Sequence, residues 1–254
     1  MRENVEALED DKRMTGDVMA QPKIIKLFTG KVKQLGNLNA NNRIDRPWES
    51  GIFKNEKDEP IWLGVTALHG DEVADKKNHG GPEKAVFAYP IKHYAYWKKD
   101  LKLEAIDAGA MGENLAVLEM DESTVCIGDI YKLGDALIQV SQPRRPCWKP
   151  ARRFQVMDFA LRIQNSGRTG WYFRVLKEGY VQPGIELELT ERPYPEWTIA
   201  TCNEVMYVHK DDMQMASDLA SCELLAENWR RSLEKRLQGE ASSIEKQVFG
   251  PNKR

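Results

Sequence analysis

The chain has few cysteines and no motif that groups them. Cys126, Cys147, Cys202 and Cys222 are scattered over 254 residues with no CxxC pair, which excludes a zinc knuckle and a secreted disulfide framework. Such spacing favours a reducing, cytoplasmic setting. No apolar run approaches the roughly 18 residues needed to cross a bilayer, so no membrane association is expected. Residues 1–20 hold no apolar segment of the signal-peptide kind; they are polar, with Glu9-Asp10-Asp11 at their centre, and their mixture of Arg and acids argues against a transit peptide. They are expected to extend, through residue 22, as a mobile segment contributing little to the fold. A formal net charge of -2 gives no reason to expect a nucleic-acid backbone as partner. Also missing are an internal repeat, a Gly-x-Gly-x-x-Gly flavin fingerprint and a cluster-binding cysteine set.

What is present is an ordinary globular balance, 41% hydrophobic and 30% charged, long enough for one large domain or one domain with a small appendage. Ordered structure is expected from about Ile24. Short strand patterns occur at 24–27, 31–35, 62–68, 85–89, 115–118, 130–133, 136–140, 171–176 and 185–189, separated by Gly-containing turns. Helical spacing appears at 91–101 and at 157–165, the latter ending at Gly167. Many short strands with few helices between them predict an α+β fold: a mixed, closed or strongly curved β-barrel with peripheral helices, not a doubly wound sheet. After Pro193-Tyr194-Pro195 the period turns helical, and Gly is absent from Thr198 to Gln238. Thr198, Lys210-Asp211-Asp212 and Ser221 are expected to open three helices, the last with a Leu225, Trp229, Leu233, Leu237 stripe. The predicted organisation is a barrel over 23–192, a three-helix subdomain over 198–238 and a polar tail over 239–254.

Chemistry concentrates at Ser141-Gln142-Pro143-Arg144-Arg145-Pro146-Cys147-Trp148-Lys149-Pro150. Prolines restrict the backbone around one thiol, and Arg144, Arg145 and Lys149 favour its thiolate, the form that attacks electrophiles or binds soft metals. Residues 144–153 hold four Arg and one Lys, a local basic patch. In Lys76-Lys77-Asn78-His79-Gly80-Gly81-Pro82-Glu83-Lys84, Gly80 and Gly81 permit a backbone anion nest flanked by His79 and Lys84, although Gly-Gly-Pro is also a common turn. Glu113 and Asn114 in Gly112-Glu113-Asn114-Leu115 offer polar groups for a heterocycle, with turn chemistry as the plain alternative. Arg174, in Thr169-Gly170-Trp171-Tyr172-Phe173-Arg174, is a charge within an apolar strand, either ligand-facing or an ordinary edge residue.

These stretches, with Leu27-Phe28-Thr29-Gly30-Lys31, Gly70-Asp71-Glu72, Tyr89-Pro90, His93-Tyr94, Trp97, Gly128-Asp129 and Trp229-Arg230-Arg231-Ser232-Leu233, resemble the MOSC-domain family and its YiiM-like branch over roughly residues 24–238. The resemblance implies a β-barrel MOSC domain followed by a three-helix module, binding the molybdenum cofactor, a pterin with a dithiolene and a phosphate. It implies that Cys147 is the protein ligand to molybdenum, and that the activity is reduction of N-hydroxylated compounds such as 6-hydroxylaminopurine, a detoxification. Gly80, Gly81, Lys84, Glu113, Asn114, Arg144, Arg145, Thr169, Gly170 and Arg174 are the expected cofactor-binding residues. His79 or Glu113 would supply protons. Electrons would come from a separate reductase, and a homodimer is an allowed assembly. Two alternatives stay open: a cofactor carrier without turnover, and a thiol enzyme pairing Cys147 with His79.

Overall fold

A computed structural model describes residues 21–240 and 248–252. The extension expected at the start and most of the expected tail lie outside the described residues. The chain runs through β1 (Lys23–Thr29), β2 (Lys33–Leu35), β3 (Trp48–Ser50), β4 (Asn55–Lys57), β5 (Ile61–Leu63), α1 (Lys76–His79), β6 (Val86–Pro90), α2 (His93–Leu101) and β7 (Leu115–Leu118). There follow β8 (Ile130–Leu133), β9 (Ala136–Pro143), α3 (Lys149–Phe154), α4 (Phe159–Ser166), β10 (Trp171–Lys177), β11 (Gly179–Val181), β12 (Glu188–Glu191), α5 (Ile199–Tyr207), α6 (Met213–Ala220) and α7 (Glu227–Leu237).

One eight-stranded sheet dominates, in the order β12-β8-β9-β10-β6-β7-β1-β4. It is a mixed, curled half-barrel in which β6 and β7 pair in parallel and the other neighbours antiparallel. The parallel pair needs a crossover, which contains α2. β6 is buried along its whole length, as a central strand covered on both faces must be. The two edge strands are short and charged, Glu188 and Glu191 in β12 and Glu56 and Lys57 in β4, a composition that discourages pairing with a foreign strand. An isolated bridge from Lys23 to Glu186 ties the approach to β12 back to β1.

The sheet separates two cores. One holds Leu27, Val140, Trp171 and Phe173 and continues into Ile199, Cys202, Trp229 and Leu233 of the helices. Barrel and helices therefore share one hydrophobic interior. The second core packs Phe87, Tyr89, Tyr94, Trp97 and Phe159 between the sheet, α2 and α4.

Several expectations are corrected. The 62–68 strand stops at Leu63, because Gly64 N–H bonds to Ala67 O at 3.0 Å and turns the chain back. The 185–189 strand is split, since Ile185 and Leu187 make their backbone bonds to Ile24 and Pro22, while β12 begins at Glu188. Thr198 and Asp212 cap α5 and α6 through Thr201 N–H and Met215 N–H. Ser221, by contrast, closes α6, and α7 starts six residues later at Glu227. Ala226 N–H instead bonds to Ser141 O at 2.9 Å. Leu225, Trp229 and Leu233 are buried as the stripe requires, but Leu237 is 40% exposed. Within the stretch read as a tail, Val248 is buried and Asn252 accepts a 2.6 Å bond from Arg152 Nε.

Candidate functional site

Strand β9 delivers the thiol. Its end is clamped from one side by Arg144 N–H to Gly170 O at 3.0 Å and from the other by Trp229 Nε1–H to Pro143 O at 3.1 Å. Cys147 follows, just before α3, on the wall of a cavity. The cavity encloses about 90 Å³, within about 670 Å³ of free space that includes its solvent-open mouth.

Burial would raise the Cys147 thiol, but the charge and hydrogen bond of His79, the Arg144 guanidinium and the Lys149 N–H overcome it and lower the pKa to about 6. At neutral pH the group is mainly thiolate. His79 ends α1, whose start is capped by Asp75 through Asn78 N–H, so a short capped helix carries the thiolate's partner to it.

Arg144 faces the same cavity. Its guanidinium lies 5.0 Å from the Phe87 ring centroid, and Nη1 is buried with no hydrogen-bond partner. A buried guanidinium N–H without an acceptor is costly, and it sits beside an opening that an anionic acceptor can enter. Tyr172 bonds Arg144, and burial, opposed by that cation, pushes its phenol up to about 12. Ile52, Phe87, Met111 and Tyr172 supply the apolar part of the wall.

The lining of the same cavity also holds a buried ion pair, Lys54 Nζ to Asp71 Oδ2 at 2.5 Å, with side chains 6% and 4% exposed. Asp71 also accepts from Gly30 N–H at 2.9 Å and from Asn114 Nδ2 at 2.9 Å. Burial lowers the Lys54 pKa, against the opposing pull of Asp71 and Glu113. Asp71 stands in the sequence only within the matching stretch Gly70-Asp71-Glu72, without a role, and Lys54 is not singled out. Gly70 at φ +85, immediately before Asp71, is a signal that could have found the carboxylate; Lys54, in a charged surface-like stretch, offers none.

The structure brings Cys147, His79, Lys84, Asn114 and Arg144 to one cavity and leaves the other expected residues outside its lining. Lys84 Nζ donates to Asn78 O at 2.7 Å, and burial with Arg145 nearby lowers its pKa. Asn114 spends its amide on Phe87, Phe28 and Asp71, so it braces the wall. Glu113 is enclosed behind the wall, accepting from Tyr94 Oη, Gly109 N–H and Met111 N–H, and burial raises its pKa. Arg145 turns away onto the Trp229 ring, 5.0 Å from its centroid, and donates to Asn228 O.

Gly80 is extended and Gly81 has φ +94 with open space around it; they link α1 to the Pro82–Lys84 turn. Thr169 accepts from Asn203 Nδ2 at 2.9 Å. Gly170 approaches Ala88 O so closely that a Cβ would lie 2.4 Å from it, and its N–H bonds to Glu122. Arg174 pairs with Glu83 and Gln139 and donates to Leu224 O, so the charge in the apolar strand is paired within the protein.

Comparison with known proteins completes the description. The family profile for the MOSC domain matches residues 75–188, and that for the YiiM-like 3-alpha helix domain matches 197–240. The chain is 37% identical over 204 residues to protein YiiM of Escherichia coli, covering 79% of this chain and 91% of that one. A protein of Gibberella moniliformis named reductase is 41% identical over 176 residues, 68% of this chain but 31% of the longer fungal protein. The crystal structure of YiiM from Geobacillus stearothermophilus superposes with a TM-score of 0.71 at 36% identity, covering 85% of this chain and 99% of that one. Among the described residues no helix is long and apolar enough to cross a membrane.

Proposed function

The chain belongs to the MOSC-domain family, in its YiiM-like branch with the three-helix domain, and from that premise we propose that it is a molybdenum-cofactor-dependent reductase of N-hydroxylated compounds such as 6-hydroxylaminopurine, supplied with electrons by a separate reductase. The observation that carries the proposal is Cys147, a buried thiol lowered to about 6 by its neighbours on the wall of a cavity. One thiolate is too few donors to hold a bare metal ion, but it suits a soft metal that arrives with sulfur ligands of its own. The resemblance to the fungal reductase supports redox chemistry.

The residues present fit the cofactor. Arg144 has a buried, unpartnered Nη1, and Lys84 and Lys149 line the same opening, which suits a phosphate. Cys147 would hold the metal, and His79 keeps the thiol ionised by hydrogen bonding. When bound, the cofactor supplies two-electron cleavage of an N–O bond, leaving the amine. Ile52, Phe87, Met111 and Tyr172 form an apolar face that suits a flat heterocycle and excludes water from the reacting bond.

The test is to produce the protein in a host that makes the cofactor, measure molybdenum and pterin per chain, and supply a reduced dye with 6-hydroxylaminopurine. Stoichiometric cofactor with amine formation is the expected result. Cofactor without turnover would make the chain a carrier, and hydrolytic thiol activity in metal-free protein would favour a Cys147–His79 enzyme.

A further inference from the structure

Reduction of a hydroxylamine consumes protons as well as electrons: R–NHOH, two electrons and two protons give R–NH2 and water. The N–O bond breaks, and the oxygen departs as water only if it is protonated. The electrons belong to the separate reductase; the protons must pass through this chain's cavity. His79 is committed to the Cys147 thiolate, and Glu113 is sealed behind the wall by Tyr94 and two backbone N–H groups. Arg144 does not deprotonate in proteins. Tyr172, pushed up to about 12, is a poor acid. Glu72 is occupied by Lys31 and Val32 N–H, Lys84 is tied to Asn78 O, and Lys149 Nζ lies over the Trp148 ring, 5.9 Å from its centroid.

What remains is the Lys54–Asp71 pair in the lining of the same cavity. We infer that Lys54, held against Asp71 in the cavity wall, donates the proton that lets the substrate oxygen leave. The inference rests on the reductase reading above. Its geometry is specific. Both residues line the cavity that holds Cys147, both side chains are buried, and the ammonium has a single carboxylate at 2.5 Å. Asp71 is immobilised by Gly30 N–H and Asn114 Nδ2, and it therefore aims Lys54. The loops and strands packed around Lys54 present two carboxylates to it, Asp71 and Glu113, and burial outweighs both in lowering its pKa. A buried ammonium in that state releases its proton more readily than one in water. The second proton, taken by the nitrogen, comes from solvent at the cavity mouth, which also reprotonates Lys54 after each turnover.

The experiment compares cofactor-loaded wild type with Lys54→Met and Lys54→Arg, measuring kcat and KM for 6-hydroxylaminopurine reduction across pH, molybdenum and pterin content, and melting temperature. Both variants are expected to keep their cofactor and to lose kcat by about a hundredfold or more, with KM little changed and the alkaline limb of the wild-type profile gone. Arginine keeps the charge but cannot give up the proton. Wild-type speed in Lys54→Arg would overturn the inference, leaving Lys54 a positioning cation. Loss of pterin from Lys54→Met would also overturn it, because the ammonium would then hold the cofactor. If the Met variant does not fold, the Arg variant decides alone by the same criteria. Fully loaded wild type that reduces no N-hydroxyl substrate would sink the reductase reading and the inference together; an active wild type with an equally active Lys54→Met sinks only the inference.

Discussion

Cys202 lies inside α5 in the core shared by barrel and helices, and Cys147 lies on the cavity wall; both are buried, and their thiols are driven in opposite directions. Burial, with Cys222 and Cys126 nearby, raises Cys202 well above the ordinary thiol range. The same burial at Cys147 is overcome by His79 and Arg144. Depth does not decide the chemistry of a thiol here; the charge of what surrounds it does. Arg144 and Arg145 repeat the contrast: each has one buried guanidinium nitrogen without a partner, but Arg144 faces the opening whereas Arg145 is stacked on Trp229.

Exchanging the two cysteines for serine should separate these environments most strongly. Cys147→Ser is expected to abolish turnover, by more than the roughly hundredfold that loss of an outer-sphere partner causes, with a melting difference from wild type that is small near pH 6 and larger toward pH 9. Cys202→Ser should cost about 1–3 kcal/mol by burying a hydroxyl in an apolar core, with activity per folded molecule retained. Denaturant unfolding and steady-state assays on both variants check this, and the reverse pattern would break the comparison.

The arginines come next. Arg144→Met should weaken cofactor retention by about ten- to a hundredfold, by removing a charge-assisted donor worth about 1.5–3 kcal/mol. Arg145→Met should retain cofactor and change stability by less than about 1 kcal/mol, because a buried cation with no carboxylate gives up little when replaced by an apolar side chain. Pterin content after gel filtration is the measurement.

A smaller effect is in pH. Alkylation of Cys147 in cofactor-free protein should be half-maximal near about 6 and move upward in His79→Gln. Because the folded pKa is depressed from 9.0 to about 6, the unfolded chain binds more protons between those values, and stability from this group rises across that window. It is fully present above the unfolded value and lost as pH falls through the folded one. The difference in melting between wild type and Cys147→Ser should therefore grow from pH 6 to pH 9, and a flat difference would show that the thiol is not ionised.

The strands whose partners lie on both sides were legible from their apolar runs, as Val86–Pro90 and Leu115–Leu118 show. Trp62–Leu68 and Ile185–Leu189 misled because apolar residues there serve a turn or pair in two directions. That Cys147, Arg144 and His79 could share one cavity was suggested by the proline, arginine and glycine that mark their loops. Glu113, Arg145 and Arg174 lie outside the cavity lining, a distinction the sequence could not draw, since a charge in an apolar stretch looks the same whether it meets a ligand or a buried partner. The Lys54–Asp71 pair was invisible because only folding brings residues from two surface-like loops together.

Sheet order also has a consequence for synthesis. β1 pairs with β7, β7 with β6, and β6 waits for β10. A chain emerging from the ribosome would hold the centre of its sheet with an open flank until Trp171–Lys177 has been made. Assembly through such distant partners is slow and exposes strand edges on the way, so yield in the cell should respond to translation speed and chaperone supply well before any residue of the cavity is touched.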